Sequence, residues 1–522
     1  MPDYDVIVIG AGHNGLTCAG YLIKAGLRVL VLERRNIVGG GATTEESIPG
    51  APGFKVNTCS VDHFLSEKIP VIQYLELPRF GLQYLKVDPM FFCPFPDGTN
   101  FFIYKDIDRT CKEIAKFSPH DAEAYRGFVE YWRNAAYLLD PLRFSPPPSF
   151  NLLSGLMEGE EADEFMRVLL LSPEQLLDEW FETEYVKAPI AWIAGQLGTP
   201  PSQIGTSVTT SLVEICHRSG VNRPKGGSGM LTQSMAAMVE HYGGTIIKDA
   251  EVSRILVEDG AAVGVRLSDG REFHAGKAVI SSLDAKRVFT RLVDPKDIDE
   301  KLRRRAGNIH ISNISFMKVD CALSELPDFE RYNAGRDTGI ASHIICPSVK
   351  YLETAFADAK EGLPPRKPAI WSVCASTVDP SLAPTGMHTL YLFQFAPYEL
   401  ADGRNWEDLR EEVADSMIDA LAEYAPNVKK SVVARRVCTP VDEENRTGNI
   451  KGQAYHIDST LNQMFGFRPL PELSGYKTPI QGLYLTGAGT HPGGGITCIP
   501  GHNTAKVVME DLGLQQDGDR DE

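Results

Sequence analysis

The sequence predicts an α/β chain in two units. One is a Rossmann-type dinucleotide-binding unit; the other combines mixed sheet with a helical part. Three observations predict it. The N-terminus carries a strand, glycine turn, helix, strand and acid in series. Three further glycine-rich segments fall where strands meet helices. The chain has 522 residues, more than one hydrophobic core organises.

Tyr4 to Ile9 reads YDVIVI, a short apolar run suited to a strand buried on both faces. Gly10-Ala11-Gly12-His13-Asn14-Gly15 follows, then a helix expected over Leu16–Gly26, a strand over Arg28–Leu32, and Glu33 at its end. Each part has a physical task. Gly10 permits the tight turn, Gly12 lets a pyrophosphate approach the backbone, and Gly15 lets helix and strand pack closely. The helix N-terminus offers free N–H groups and partial positive charge to phosphates. Glu33 suits a ribose diol. His13 and Asn14 between the glycines, and Arg34 after the acid, complete the expected cradle. Arg34 and Arg35 otherwise read as a solvated pair.

Gly39-Gly40-Gly41, followed by Ala42, selects among dinucleotides. Nicotinamide-binding folds do not need this extension, whereas flavoproteins of the glutathione-reductase superfamily carry a Gly-Gly here. Backbone passes close to the pyrophosphate and ribityl chain at that point, so Gly40, Gly41 and Ala42 are candidate FAD contacts. Lys225-Gly226-Gly227-Ser228-Gly229 opens a helix over Met230–Tyr242. Strands are expected at Thr245–Ile247 and Ala250–Val257, with Val252 meeting the adenine through its backbone. Near the C-terminus, LYLTGAGTHPGGG leads into a helix over Thr504–Leu512. Gly487, Gly489, Gly494 and Ile496 are the candidate contacts there. No second G-x-G-x-x-G follows a mid-chain strand, so no separate NAD(P)H unit is expected, and the cofactor expected is FAD.

These motifs place the FAD-binding unit at 1–65, 220–300 and 475–522. The substrate unit takes 66–219 and 301–474, with its helical part near 118–200. Ser118-Pro119 starts a helix with aromatics at Tyr125, Phe128, Tyr131 and Trp132; Ser172-Pro173 starts another running to about Val186. Met90-Phe91-Phe92 and Phe101-Phe102-Ile103-Tyr104 flank Asp97-Gly98 as a hairpin. These aromatics serve as sheet core or as the wall of a greasy cavity.

Composition narrows the function. The net charge of −17 repels phosphate backbones, so no nucleic-acid partner is expected. The ten cysteines form no C-x-x-C pair, which argues against a zinc site and a dithiol centre. No apolar run is long enough to span a membrane, and no basic segment precedes the first strand, so a cytoplasmic location is expected. Residues Gln515–Glu522 read as a disordered acidic tail. No nucleophile–base pair or metal cluster stands out. The isoalloxazine carries the hard chemistry in a flavin enzyme. His491 and His502, in the flavin-contacting segment, are the candidate catalytic residues, ahead of His63 and His456.

With GAGHNGL, VLERRNIVGGGATTEE, RPKGGSGMLTQSM and LYLTGAGTHPGGG in view, the chain resembles the phytoene desaturase-like flavoproteins. Within them it is similar to flavin-type beta-carotene ketolases and to pyridine nucleotide-disulfide oxidoreductase domain proteins. NTCSVDHF, FSPHDAEAYRGFVEYW, LLDEWFETEYVKAP and YHIDSTLNQMFGFRPLPEL extend the resemblance over nearly all of the chain. It implies a glutathione-reductase-type FAD fold and oxidation of a carotenoid reached from the membrane surface, with oxygen or a quinone as electron acceptor. A docking face is then expected within 120–220. The segment at 495–501 departs from the expected pattern, with Cys498 beside the presumed flavin face. Two alternatives stand beside this reading: a dehydrogenase or oxidase of another apolar small molecule, and a non-catalytic binding protein on the same fold. The sequence does not fix the oligomeric state.

Overall fold

Two seven-stranded sheets organise the chain, one around the N-terminal glycine turn and one in its middle. The computed structural model describes residues 2–64, 69–149, 155, 159–333 and 338–514, and the expected acidic tail lies outside them.

The first sheet runs Val252–Glu258, Ala261–Leu267, Glu272–Ser281, Tyr4–Ile9, Val29–Leu32, Thr245–Ile247, with Leu483–Leu485 also paired to Glu272–Ser281. Tyr4–Ile9 lies parallel to both neighbours. Its apolar run follows from burial on two faces. Val6 and Val8 pack with helices His13–Lys24 and Ile499–Asp511, while Ile7 and Ile9 join Val252, Val288 and Phe289 on the other side. The N-terminal helix begins at His13, three residues earlier than expected, because Gly12 already accepts the first helical N–H from Leu16.

The second sheet runs Val432–Cys438, Ile314–Leu323, His388–Pro397, Ile370–Val373, Ser342–Ile345, Phe91–Pro94, Asn100–Ile103. Met317, Val319, Leu390 and Leu392 face the helix Trp406–Ala422. Phe316, Tyr391, Phe393 and Phe395 alternate with them and point the other way. The expected hairpin forms around Asp97-Gly98, and Phe91, Phe92, Phe101 and Phe102 are sheet core rather than cavity wall.

The helical part comprises Pro119–Arg143, Glu160–Leu170, Pro173–Trp180, Glu184–Gly195 and Leu212–Ser219. Tyr125, Phe128 and Trp132 are buried among these helices. The single helix expected from 173 to 186 is broken at Phe181–Thr183. There the buried Asp121 carboxylate accepts the N–H groups of Glu182 and Thr183, each at 2.9 Å, and caps the second helix from outside. All ten cysteines are unpaired. No described helix is long and apolar enough to cross a membrane.

Candidate functional site

The turn after the first strand separates two kinds of glycine. Gly10 has φ +95°, and a side chain there would strike Ser282. A Cβ on Gly15 would collide with the Gly10 carbonyl, so this glycine serves the helix–strand contact. Gly12 is different: a Cβ there meets nothing within 4 Å and projects into open space. That space is a cavity of about 550 Å³ running from the glycine turn to the second sheet. The first turn of the helix holds no acid, which leaves its N-terminal field available to an anion.

Most of the residues expected in the cradle do line this cavity: Gly10, Gly12, His13, Asn14, Gly15 and Glu33 at the turn, then Arg34, Gly40, Gly41 and Val252. Gly487, Gly494 and Ile496 close it from the C-terminal segment. Ala42 and Gly489 lie outside the lining; Ala42 instead offers its carbonyl to Thr232 at 2.9 Å. Glu33 is held by backbone: its carboxylate accepts the N–H groups of Ala11 and Arg35, each at 2.9 Å. Gly39 donates to the Ala11 carbonyl at 2.9 Å and bridges to Gly12, and a Cβ on Gly40 would come within 3.4 Å of the Gly12 Cα, so the second glycine segment is laid against the first.

Arg34 and Arg35 are not the solvated pair expected. Arg34 donates to the carbonyls of Asn445 and Arg446, and Arg35 pairs with Glu45 at 2.9 Å. The C-terminal end of the helix Pro440–Thr447 supplies those carbonyls, a natural place for a cation. Arg446 in turn reaches the Gly40 carbonyl at 3.0 Å. The segment Lys225–Gly229 opens the helix Gly229–His241, as expected. Gly227 packs against Thr44 and Asn57, and none of the five residues lines the cavity.

His491 and His502, the expected catalytic residues, do not line the cavity either. His491 donates through Nε2 to the Leu142 carbonyl at 2.9 Å, and burial depresses its pKa to about 4. His502 sits edge-on to Tyr21 at 5.0 Å, and burial lowers its pKa to about 4 as well. Cys498 is fully buried as the cap residue of the last helix, with φ +61°, and stands away from the lining. The histidines that do line it are His13, His63 and His456. His456 has φ +65°, a costly backbone for a non-glycine residue, and its Nδ1 has no hydrogen-bond partner among the described residues.

Away from the glycines the lining becomes apolar. Phe64, Phe316, Trp371, Tyr391, Phe393 and Phe395 form most of that end. Phe316 and Phe393 stack at 5.5 Å, and Trp192 backs Trp371 edge-on at 5.0 Å. Strand alternation puts 391, 393 and 395 on one face, which sequence could have flagged; which face meets the cavity it could not. Arg287 and Arg291 add positive charge near Arg34 on the cavity wall.

The open approach to Gly12, the acid-free helix end and the buried Glu33 carboxylate fit a dinucleotide. The adjoining aromatic end leaves room for an apolar reactant beside it.

Comparison with known proteins agrees. The family model described as flavin containing amine oxidoreductase matches residues 15–502. The chain is 33% identical to pyridine nucleotide-disulfide oxidoreductase domain-containing protein 2 of Rattus norvegicus, covering 98% of this chain and 94% of that one. It is 31% identical to one of the subunits of limonene dehydrogenase from Castellaniella defragrans, over 98% and 95% of the two chains. Phytoene desaturase (lycopene-forming) of Pseudescherichia vulneris is 27% identical, over 97% and 99%. Among solved structures, putrescine oxidase bound to putrescine superimposes with TM-score 0.65 at 16% identity, covering 98% of each chain, which shows the fold alone. The cofactor is FAD, held in an α/β Rossmann-type fold. The chain belongs to the flavin-containing amine oxidoreductase family, which also includes the phytoene desaturases.

Proposed function

We propose that this protein oxidises an apolar isoprenoid at a C–H bond by hydride transfer to FAD, with a carotenoid as first substrate and desaturation or ketolation as the outcome. One observation carries the reading: the dinucleotide cradle and an aromatic-walled chamber share one cavity, and the chamber end presents Phe316, Trp371, Phe393 and Phe395. FAD supplies a ring that accepts two electrons as hydride. The chain does the rest. Its aromatic wall excludes water and aligns a flat, unsaturated chain by ring contacts. The names of two relatives, a phytoene desaturase and a limonene dehydrogenase, share isoprenoid hydrocarbons as their chemistry.

A second reading, a dehydrogenase or oxidase of a smaller apolar molecule, is supported by the 31% identical relative named limonene dehydrogenase. Oxygen or a quinone is the electron acceptor in both. The two sheets support a division into an FAD unit at 1–65, 220–300 and 475–522 and a substrate unit at 66–219 and 301–474. An apolar substrate is delivered from lipid, and Tyr137, Leu170 and Ile204, exposed by 79%, 50% and 64% on the helical part, are the peripheral contact we assign to that delivery from the cytoplasmic side.

The test is pigment analysis in bacteria that make beta-carotene, by chromatography with mass detection. New keto or further-desaturated carotenoids are expected. Unchanged pigment beside FAD-loaded protein overturns the carotenoid assignment and leaves the smaller apolar substrate, to be screened with monoterpenes.

A further inference from the structure

His63 is fully enclosed at 1% exposure and lines the cavity. Its Nε2 lies 2.7 Å from the Ser228 hydroxyl and its Nδ1 3.2 Å from the Tyr84 hydroxyl. Ser228 continues to the Ser60 hydroxyl at 2.6 Å, and Ser60 lines the cavity beside Gly41. A single line of hydrogen-bonding groups therefore runs Ser60, Ser228, His63, Tyr84, from the cavity wall to a half-buried phenol.

The partners of this imidazole set it apart. His13, His217, His343 and His491 each hold one nitrogen against a carbonyl, of Gly495, Lys105, Thr338 and Leu142 respectively. A carbonyl only accepts, so that nitrogen keeps its hydrogen and the tautomer is fixed. His63 meets a hydroxyl at both nitrogens, and a hydroxyl both donates and accepts. It can take a proton on Nε2 while giving one from Nδ1. Burial holds it neutral, with its pKa lowered to about 3, which suits exchange between tautomers rather than storage of charge. Backbone pairing of His63 with Asn222 in both directions, at 2.9 and 3.1 Å, fixes the backbone that carries the ring, and the two hydroxyls orient the ring itself.

We propose that Ser60, Ser228, His63 and Tyr84 form the proton exit of the active site. The inference rests on the dehydrogenation reading. Breaking two C–H bonds of a substrate delivers one hydride to the flavin and leaves one proton in an apolar chamber. That proton passes to the Ser60 oxygen, Ser60 gives its own to Ser228, Ser228 to His63 Nε2, His63 Nδ1 to Tyr84, and Tyr84 to water. One proton leaves, and no group in the line changes its net charge. The same exit serves when an acceptor removes electrons alone from the reduced flavin.

The test needs no substrate. FAD-loaded protein is reduced anaerobically with dithionite and mixed with ferricyanide, which takes the two electrons singly and no proton. Stopped-flow absorbance follows flavin oxidation, and phenol red follows the proton released. In the native protein the two signals keep step. In Tyr84→Phe and His63→Gln, proton release is expected to lag flavin oxidation by about tenfold or more, with the FAD spectrum unchanged. Signals that keep step in the Tyr84→Phe protein overturn the relay, whether or not His63→Gln folds. A native protein that purifies without FAD and does not take it up overturns the flavin reading itself, and the relay with it.

Discussion

Gly12→Ala and Gly15→Ala are identical in chemistry and three residues apart, yet the structure gives them opposite consequences. Gly12 has φ −70° and ψ 167°, which alanine adopts without strain, and its Cβ would meet nothing within 4 Å. The folded protein accepts it, and the unfolded chain loses entropy. Apo-protein stability is expected to hold or rise by about 0.4–1 kcal/mol. The methyl group occupies the space through which the pyrophosphate reaches the backbone. Overpacking of this kind costs about 1–3 kcal/mol, or about 5- to 140-fold in FAD affinity. Gly15→Ala instead drives its methyl into the Gly10 carbonyl and separates helix from strand. The same penalty of about 1–3 kcal/mol then falls on the apo fold. The assays are urea unfolding of apo-protein and titration of FAD by fluorescence quenching. A Gly12→Ala protein that binds FAD with native affinity refutes the assignment of this glycine to the cofactor. One destabilised as apo-protein refutes the reading of the open space.

Three further outcomes are expected. Arg223 is 3% exposed and pairs with Asp62 at 2.7 Å; Arg223→Met strands a buried carboxylate and is expected to cost about 3–5 kcal/mol by guanidinium unfolding, with Asp62→Asn in the same chain recovering part. Burial lowers the pKa of His217 and His343 from 6.5 to about 4. The unfolded chain therefore binds the extra protons between those values, so stability is whole above pH 6.5 and is lost as pH falls toward 4; His217→Gln should make the fall of the urea midpoint over that window shallower, with the remaining buried histidines still contributing. Phe316→Asp places a charge on the aromatic wall and is expected to abolish new pigments in the carotenoid assay while FAD absorbance persists.

The part of the site written in the sequence is the part built from neighbours in the chain. Strand, turn, helix and acid from Tyr4 to Glu33 each constrain the next within a few residues, so glycine spacing alone locates the cradle. The chamber is not written that way. Phe316, Trp371 and Phe393 meet because Ile314–Leu323 and Ile370–Val373 pair with opposite edges of His388–Pro397, and no local period states which face of that sheet is closed by helices and which by a cofactor. The aromatic runs at 91–92 and 101–102, which read from sequence as sheet core ahead of cavity wall, are core because their hairpin lies at the sheet's edge with a helix layer over it.

The histidines show the same limit more sharply. His491 and His502 belong to the segment that carries Gly487 and Gly494, so proximity in sequence suggested proximity to the flavin. A helix turns successive side chains by 100°, and the turn of Ile499–Asp511 that aims Asn503 at the carbonyls of Arg143 and Ser145 aims His502 at Tyr21. His63 ranks behind His491 and His502 by sequence, since nothing in NTCSVDHF marks its partners. Tyr84 comes 21 residues later, on a strand paired with Val221–Pro224, and Ser228 165 residues later, at the start of the helix that follows that second strand. A histidine's chemistry is decided by what faces its two nitrogens, and those partners are set by tertiary register. The imidazole of His63 has a hydroxyl on each side because its backbone pairing with Asn222 sets it between Ser228 and Tyr84.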